Sequence, residues 1–451
     1  MHLPSFQRPV WNADEGFLAV QGRLLVHGGT LYATVVDRKP PLLPWLYAGA
    51  FAVFGDRSLW PLRTAAVCAH LATALLLASL ARRRWGGRAG AAAGLGCLLL
   101  SVGLAPEDTQ AATFEVFILP WTVAAVRCAE RRRYGRAGAA VAAAALTKQT
   151  GAVVLLAVGW TLWRDPGPGK AAAAVRLGLG CLLPVAAAAA LTGPGRFAFW
   201  TLAGSADYAS PRGAWLPALA QAARNAGILA AAAAGLVLAL GHALARRSGA
   251  VPPDLWVWPA VSLAGVACGF RFYGHYYLQL VPPLTLAGVA ALRALPRWWP
   301  AATAWTVLAC AGFLLWDCAA PHRELDHART VAAAVRARTR PTDRVLVWGM
   351  HPEDYWLAGR APAGPFLTAG FLTNFGGGRG GVRVGARYAV PGAWRTFRAD
   401  FAAHPPALVV DDSRGEPYGV ARTPGLRALL AAGYRGTATV DGAVVYARGP
   451  E

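Results

Sequence analysis

Apolar runs of about 20 residues recur between Leu59 and Ala319, separated by short basic stretches, and they limit what this chain can fold into more than any motif does. A helix rises about 1.5 Å per residue, so such a run matches a hydrocarbon core roughly 30 Å thick. Spans are expected near 59–81, 89–105, 111–129, 137–163, 175–192, 222–245, 255–270, 276–293 and 301–319. The composition agrees, with 55% hydrophobic and only 15% charged residues among 451. The sequence therefore reads as an integral membrane protein.

A formal net charge of +21 invites a nucleic-acid reading until the charge is located. It falls in clusters between the apolar runs: Arg82-Arg83-Arg84 with Arg88, Arg131-Arg132-Arg133 with Arg136, Arg164 with Lys170 and Arg176, Arg246-Arg247, and Arg293 with Arg297. Such clusters mark cytoplasmic loops. No basic stripe with interleaved aromatics stands apart from the spans, so no nucleic-acid partner is expected. The seven cysteines lie in or at the ends of apolar runs without a CxxC pair, which predicts buried small hydrophobes, no disulfide framework and no zinc site. No cleavable signal peptide is visible, because the first apolar run follows Pro40 and lacks a small-residue cleavage pattern.

The segment 137–163 decides the topology. If it crosses once, the basic loops divide between the two sides. If it breaks around Thr147-Lys148-Gln149 into two half-crossings, all five share the cytoplasmic side, at a length of about 20 Å per half. The second reading gives about ten crossings through 59–319. It puts 1–58, the 106–112 loop and 320–451 outside. Residues 41–55 suit an interfacial helix. Past 320 the pattern predicts a helix over 323–338, strands at 344–348, 407–410 and 443–446, and helices near 352–357 and 426–432. The expected fold class is thus a mainly α membrane protein, a polytopic bundle with a small C-terminal extracytoplasmic α/β domain. The Gly376-Gly377-Gly378 run lacks the spacing of a phosphate-binding fingerprint.

Asp14-Glu15-Gly16 precedes the first span and is followed by Gly22, Gly28-Gly29 and Lys39-Pro40-Pro41-Leu42. This ordered set resembles the first outer loop of family 39 glycosyltransferases in the GT-C superfamily, which include protein mannosyltransferases and lipid A aminoarabinose transferases. The resemblance extends through Arg63, Glu115, Thr147-Lys148-Gln149 and the Arg271 to Pro283 stretch. It implies a GT-C-like bundle and a hexosyl- or pentosyltransferase that takes its sugar from a polyprenyl phosphate. The acceptor it implies is a hydroxyl of a lipid, glycan or protein, met on the extracytoplasmic side of the cell membrane. It also implies Asp14 as the base, Glu15 as its support or a ligand for a divalent cation, and Lys39 at the carrier phosphate. A competing reading makes Asp14 and Glu15 the acidic first turn of a helix starting near Phe17.

The residues add their own argument. Only three lysines occur among 44 basic residues, and two of them, Lys39 and Lys148, fall in these stretches. A compact ammonium is therefore expected to matter at both, although an intramembrane lysine can also snorkel. Glu115 at the top of a span is costly unless it faces water or a partner. Glu107 and Asp108 are either cavity acids or solvated loop residues. Arg271 and His275 can hold phosphate or sugar, or anchor the interface with their aromatic neighbours. His351, Glu353 and Asp354 read as a helix start in preference to a metal cluster. No cofactor motif is present, and the sequence names no metal. Family members carry a transmembrane helix ahead of the acidic pair. Met1 to Ala13 is too short to be one, so either a first helix is missing or the next span alone delivers the loop. A transporter or flippase of lipid-linked sugar and a non-catalytic polyprenyl-lipid scaffold are the alternatives.

Overall fold

The computed structural model describes residues 2–205, 215–247, 249–375 and 383–449. The Gly376-Gly377-Gly378 run and part of the 194–217 loop lie outside them. Among the described residues, three stretches are long and apolar enough to cross a membrane: Trp60–Trp85, Lys170–Thr192 and Pro296–Arg338. The helices Trp215–Ala232 and Ala234–Ala245, bent by 96° at their junction, form a fourth if taken as one broken span. Leu42–Phe54, Gly87–Leu100 and Asp254–Ala267 are shorter apolar helices. The expected runs thus become a bundle of unequal helices, several of only about 20 Å.

The segment 137–163 does break. The helix Tyr134–Thr147 ends where Lys148 turns extended (φ −153°, ψ 138°), a 3-10 turn covers Gln149–Val153, and a second helix runs Val154–Arg164. Lys148 sits at that break, where a buried ammonium can find a partner that a continuous helix would not offer.

Opposite ends of the bundle differ in chemistry. On the helix Trp60–Trp85, Arg63 joins the first loop, while Arg84 bonds Glu130 and, at 2.6 Å, Asp254. The two arginines are separated by about 32 Å of helix, close to a hydrocarbon thickness. Arg132 pairs with Asp165 at 2.6 Å and Arg293 lies 5.4 Å from the Trp85 ring, so several basic loops gather at the Arg84 end.

The C-terminal region carries a five-stranded sheet with β1 at Arg344–Trp348, β2 at Ala361–Pro362, β3 at Leu408–Asp411, β4 at Tyr434–Val440 and β5 at Ala443–Arg448. Its order is β2-β1-β3-β5-β4. β1 pairs in parallel with β2 and β3, while β5 is antiparallel to β3 and β4. The helix Arg323–Arg338 buries Leu325, Ala328, Val331, Ala332 and Val335, an i, i+3, i+4 stripe.

This region docks on the first loop. Leu31, Tyr32, Val35 and Val36 share a buried cluster with Phe366, Phe371 and Trp348. The Arg23 guanidinium lies 4.0 Å from the centre of the Trp356 ring, and Phe51 stacks on the same ring at 5.3 Å. A Cβ on Gly16 would stand 2.6 Å from Cβ of Glu353, so only glycine allows this approach. The cysteines are all free, but Cys68, Cys268 and Cys318 are exposed on the helix surface, which corrects the expectation that all seven are buried.

Candidate active site

The first-loop helix runs Ala13–Val26, four residues earlier than the expected start near Phe17, because Asn12 caps it by accepting the Glu15 N–H at 3.0 Å. Asp14 and Glu15 therefore occupy one helical turn about 100° apart, and they face different surroundings. Glu15 is fully buried. Its carboxylate takes Arg63 Nε at 3.0 Å and Nη2 at 2.6 Å, plus the backbone N–H groups of Trp11 at 2.8 Å and Ala112 at 3.2 Å. Arg63, 1% exposed, also donates to the carbonyls of Ser5 and Arg8. Glu15 and Arg63, expected in the site, stand behind it as an ion pair spanning loop and bundle. Asp14 is 57% exposed and faces a cavity.

That cavity, of about 390 Å³, is lined by Asp14, Lys39, Glu107, Asp108, Glu115, Lys148 and His275, joined by Gln221, Arg224, Tyr276 and Met350. Segments far apart in sequence thus meet at one place. His275 is central: its backbone N–H donates to Asp108 Oδ1 at 2.9 Å and its Nδ1 lies 3.0 Å from the same oxygen. Its Nε2 stands 3.9 Å from both Asp14 Oδ2 and Glu115 Oε1. Burial works against protonation of His275, but Glu115 and Asp108 outweigh it and raise the pKa above the ordinary value. Gly274 permits this arrangement, since a Cβ there would collide with the Asp108 carboxylate.

Lys148 is buried, pairs with Glu115 and lies 3.6 Å from the centre of the Tyr276 ring. An ammonium so placed is held by charge and by the ring face together. Lys39 is half-buried, 5.6 Å from the Phe114 ring, and among the described residues it makes no ion pair. Its backbone is pinned at both ends, the N–H donating to Asp37 Oδ1 at 3.2 Å and the carbonyl accepting Tyr32 Oη at 2.7 Å. Burial pushes the Asp37 carboxyl pKa up, and Lys39 opposes that shift. The arrangement offers one exposed carboxylate, a histidine held between acids, and an uncommitted ammonium on one wall.

Arg271 is buried outside this lining. His351 and Glu353 lie in the C-terminal region, with His351 Nδ1 3.1 Å from Glu353 Oε1. Among the described residues no three His, Cys, Asp or Glu side chains have the arrangement to hold a metal ion. Sequence reasoning missed Gln221, Arg224 and Met350. Arg224 carried a signal, a charge in an apolar stretch of the kind that singled out Glu115 and Lys148. Met350 carried none.

The family model described as dolichyl-phosphate-mannose-protein mannosyltransferase matches residues 38–189, a third of the chain that includes Lys39, Arg63, Glu107, Asp108, Glu115 and Lys148. No curated protein matches. Among solved structures, ArnT from Cupriavidus metallidurans bound to undecaprenyl phosphate superposes with a TM-score of 0.64 at 16% identity, covering 100% of this chain and 97% of that one. ArnT from the same organism in the apo state gives 0.62 at 17% identity, with the same coverage. The fold is therefore similar to that of ArnT, a helical bundle followed by a small α/β region.

Proposed function

We infer that this GT-C-fold membrane protein is a glycosyltransferase that moves a hexosyl or pentosyl group from a polyprenyl phosphate to an acceptor hydroxyl on the extracytoplasmic face. The observation that carries the reading is the cavity itself, in which the exposed Asp14 carboxylate and the uncommitted Lys39 ammonium face the same space. The matched family stretch and the ArnT likeness support the carrier class.

In this reading Asp14 takes the acceptor proton, the acceptor oxygen attacks the anomeric carbon, and the carbon–oxygen bond to phosphate breaks with its electron pair on the phosphate. Phosphate leaves without protonation at neutral pH, so one carboxylate suffices where a glycosidase needs two. Lys39 stabilises the departing charge, and a proton held on His275 by Glu115 and Asp108 would add to the field. Lys148 acts at one remove, because Glu115 already occupies it. Glu15 and Arg63 hold the turn that presents Asp14. The gathering of basic loops about 32 Å away supports an outward-facing cavity.

Purified protein given a radiolabelled polyprenyl-phosphate sugar tests this. Asp14→Asn should slow release of free carrier phosphate by about 100-fold or more. Release at the parent rate would defeat the role of Asp14. A reporter fused after Glu451 should prove extracytoplasmic, and a cytoplasmic signal would overturn the orientation.

A further inference from the structure

A second cavity, of about 420 Å³, adjoins the first and shares Asn12, Ala13 and Glu107 with it. Asp14, which follows Asn12 and Ala13 in the chain, lines the first cavity beside this shared wall. Their walls differ in kind. The first presents Lys39, Lys148, Arg224 and His275 among the carboxylates of Asp14, Glu107, Asp108 and Glu115, while the second has apolar lining that includes Trp11 and Leu325 and polar lining that includes His322, His351 and Glu353. Among the described lining residues Arg323 is the one guanidinium, beside the carboxylates of Glu107, Glu324 and Glu353, and Arg414 outside the lining bonds Glu324 at 2.8 Å.

Two polar atoms here are buried without a hydrogen-bond partner among the described residues. Glu353 is 5% exposed, and only its Oε1 is engaged, by His351, while Oε2 bonds nothing. The Nε2 of His322 is also unmatched. Buried polar atoms left unpaired cost about 1–3 kcal/mol each, and at a cavity wall a ligand hydroxyl can supply the partner.

We propose that this second cavity is the acceptor subsite and that it takes an uncharged pyranoside, whose ring lies on the apolar wall while its hydroxyls meet Glu353 and His322 and one of them reaches Asp14. The inference rests on the glycosyltransferase reading and adds the class of acceptor. A phosphorylated acceptor is disfavoured, because Glu324 and Glu353, which the first cavity lacks, would face its charge. The first cavity, richer in cations, is left to the carrier phosphate. The step remains balanced: the pyranoside hydroxyl gives its proton to Asp14 as its oxygen bonds the donor carbon and the phosphate departs.

The test separates binding from turnover. Full-length protein in a detergent without sugar is examined by saturation-transfer NMR with methyl pyranosides and with their 6-phosphates. Neutral pyranosides should bind, and the isosteric Glu353→Gln and the cavity-filling Leu325→Trp should each weaken them about tenfold, with undecaprenyl phosphate affinity unchanged. Unaltered pyranoside binding in both variants, preference for the 6-phosphates, or no pyranoside binding at all would overturn the proposal. Failure of every polyprenyl-phosphate sugar to react would instead defeat the transferase reading, while binding that depends on Glu353 and Leu325 would leave the subsite standing.

Discussion

Glu15→Gln separates two neighbouring carboxylates that the sequence alone treats as a pair. In the parent, Glu15 is wholly buried and accepts four hydrogen bonds, two from an Arg63 that is itself 1% exposed. Glutamine keeps the shape but removes the charge, and it turns one acceptor into a donor facing other donors. Removing one member of a buried pair strands the other, at a cost of about 3–5 kcal/mol. Asp14→Asn, at 57% exposure, should stay within about 0.5 kcal/mol of the parent while losing transfer. The chain has 18 tryptophans, so unfolding in detergent micelles is readable by intrinsic fluorescence. The expected result is a midpoint lowered by several degrees for Glu15→Gln and unchanged for Asp14→Asn. The double variant Glu15→Gln, Arg63→Met should be less damaged than the two single costs combined, because no unpaired charge remains. If Glu15→Gln melts with the parent and loses transfer as fully as Asp14→Asn, Glu15 belongs to the reaction and the division drawn here is wrong.

Gly16→Ala should force apart the first-loop helix and Glu353, at a cost of about 1–3 kcal/mol, seen as faster proteolytic release of the C-terminal region. Gly274→Ala should push the Asp108 carboxylate away from His275, lowering its raised pKa and moving the pH profile of transfer to a more acidic limb; an unmoved profile would exclude that link. Burial holds the carboxyl of Asp354 well above the ordinary range, with Glu353 and Asp412 adding to it, and His351 is raised because Glu353 and Asp412 outweigh its own burial. Both groups bind more protons folded than unfolded. Their contribution is therefore full below the unfolded values and is lost as pH rises through the folded ones, so the C-terminal region should lose stability as pH rises above the ordinary carboxylate range. Asp354→Asn should flatten that slope and stabilise most at the alkaline end, as read by hydrogen exchange across β1 and β3; an unchanged slope would refute the assignment.

Much of the fold was legible because apolar period and charge spacing act locally. The break at Thr147-Lys148-Gln149 followed from requiring the five basic loops to share one side, and the helix Arg323–Arg338 from a stripe on one face. The strand Tyr434–Val440 was not legible, since as an edge strand with exposed Arg435, Gly436 and Thr437 it shows no buried alternation. In the site, seven of the ten expected residues line one cavity. Glu15 and Arg63 escaped because their placement depends on helix phase and on each other, 48 residues apart. Met350 reaches the cavity only through the docking of the C-terminal region, a tertiary event that no neighbouring residue announces.

The contact between Gly16 and Glu353 also sets a schedule. About 340 residues separate Asp14 from Glu353, so at roughly 5–20 residues per second the ribosome needs about 17–70 s to supply the second after the first. Throughout that interval the first-loop helix has nothing to rest against on that side and the cavity lacks Met350. The chain is therefore inserted in the membrane well before it can react, and its last quarter serves as the key that arms the first turn of its first long helix.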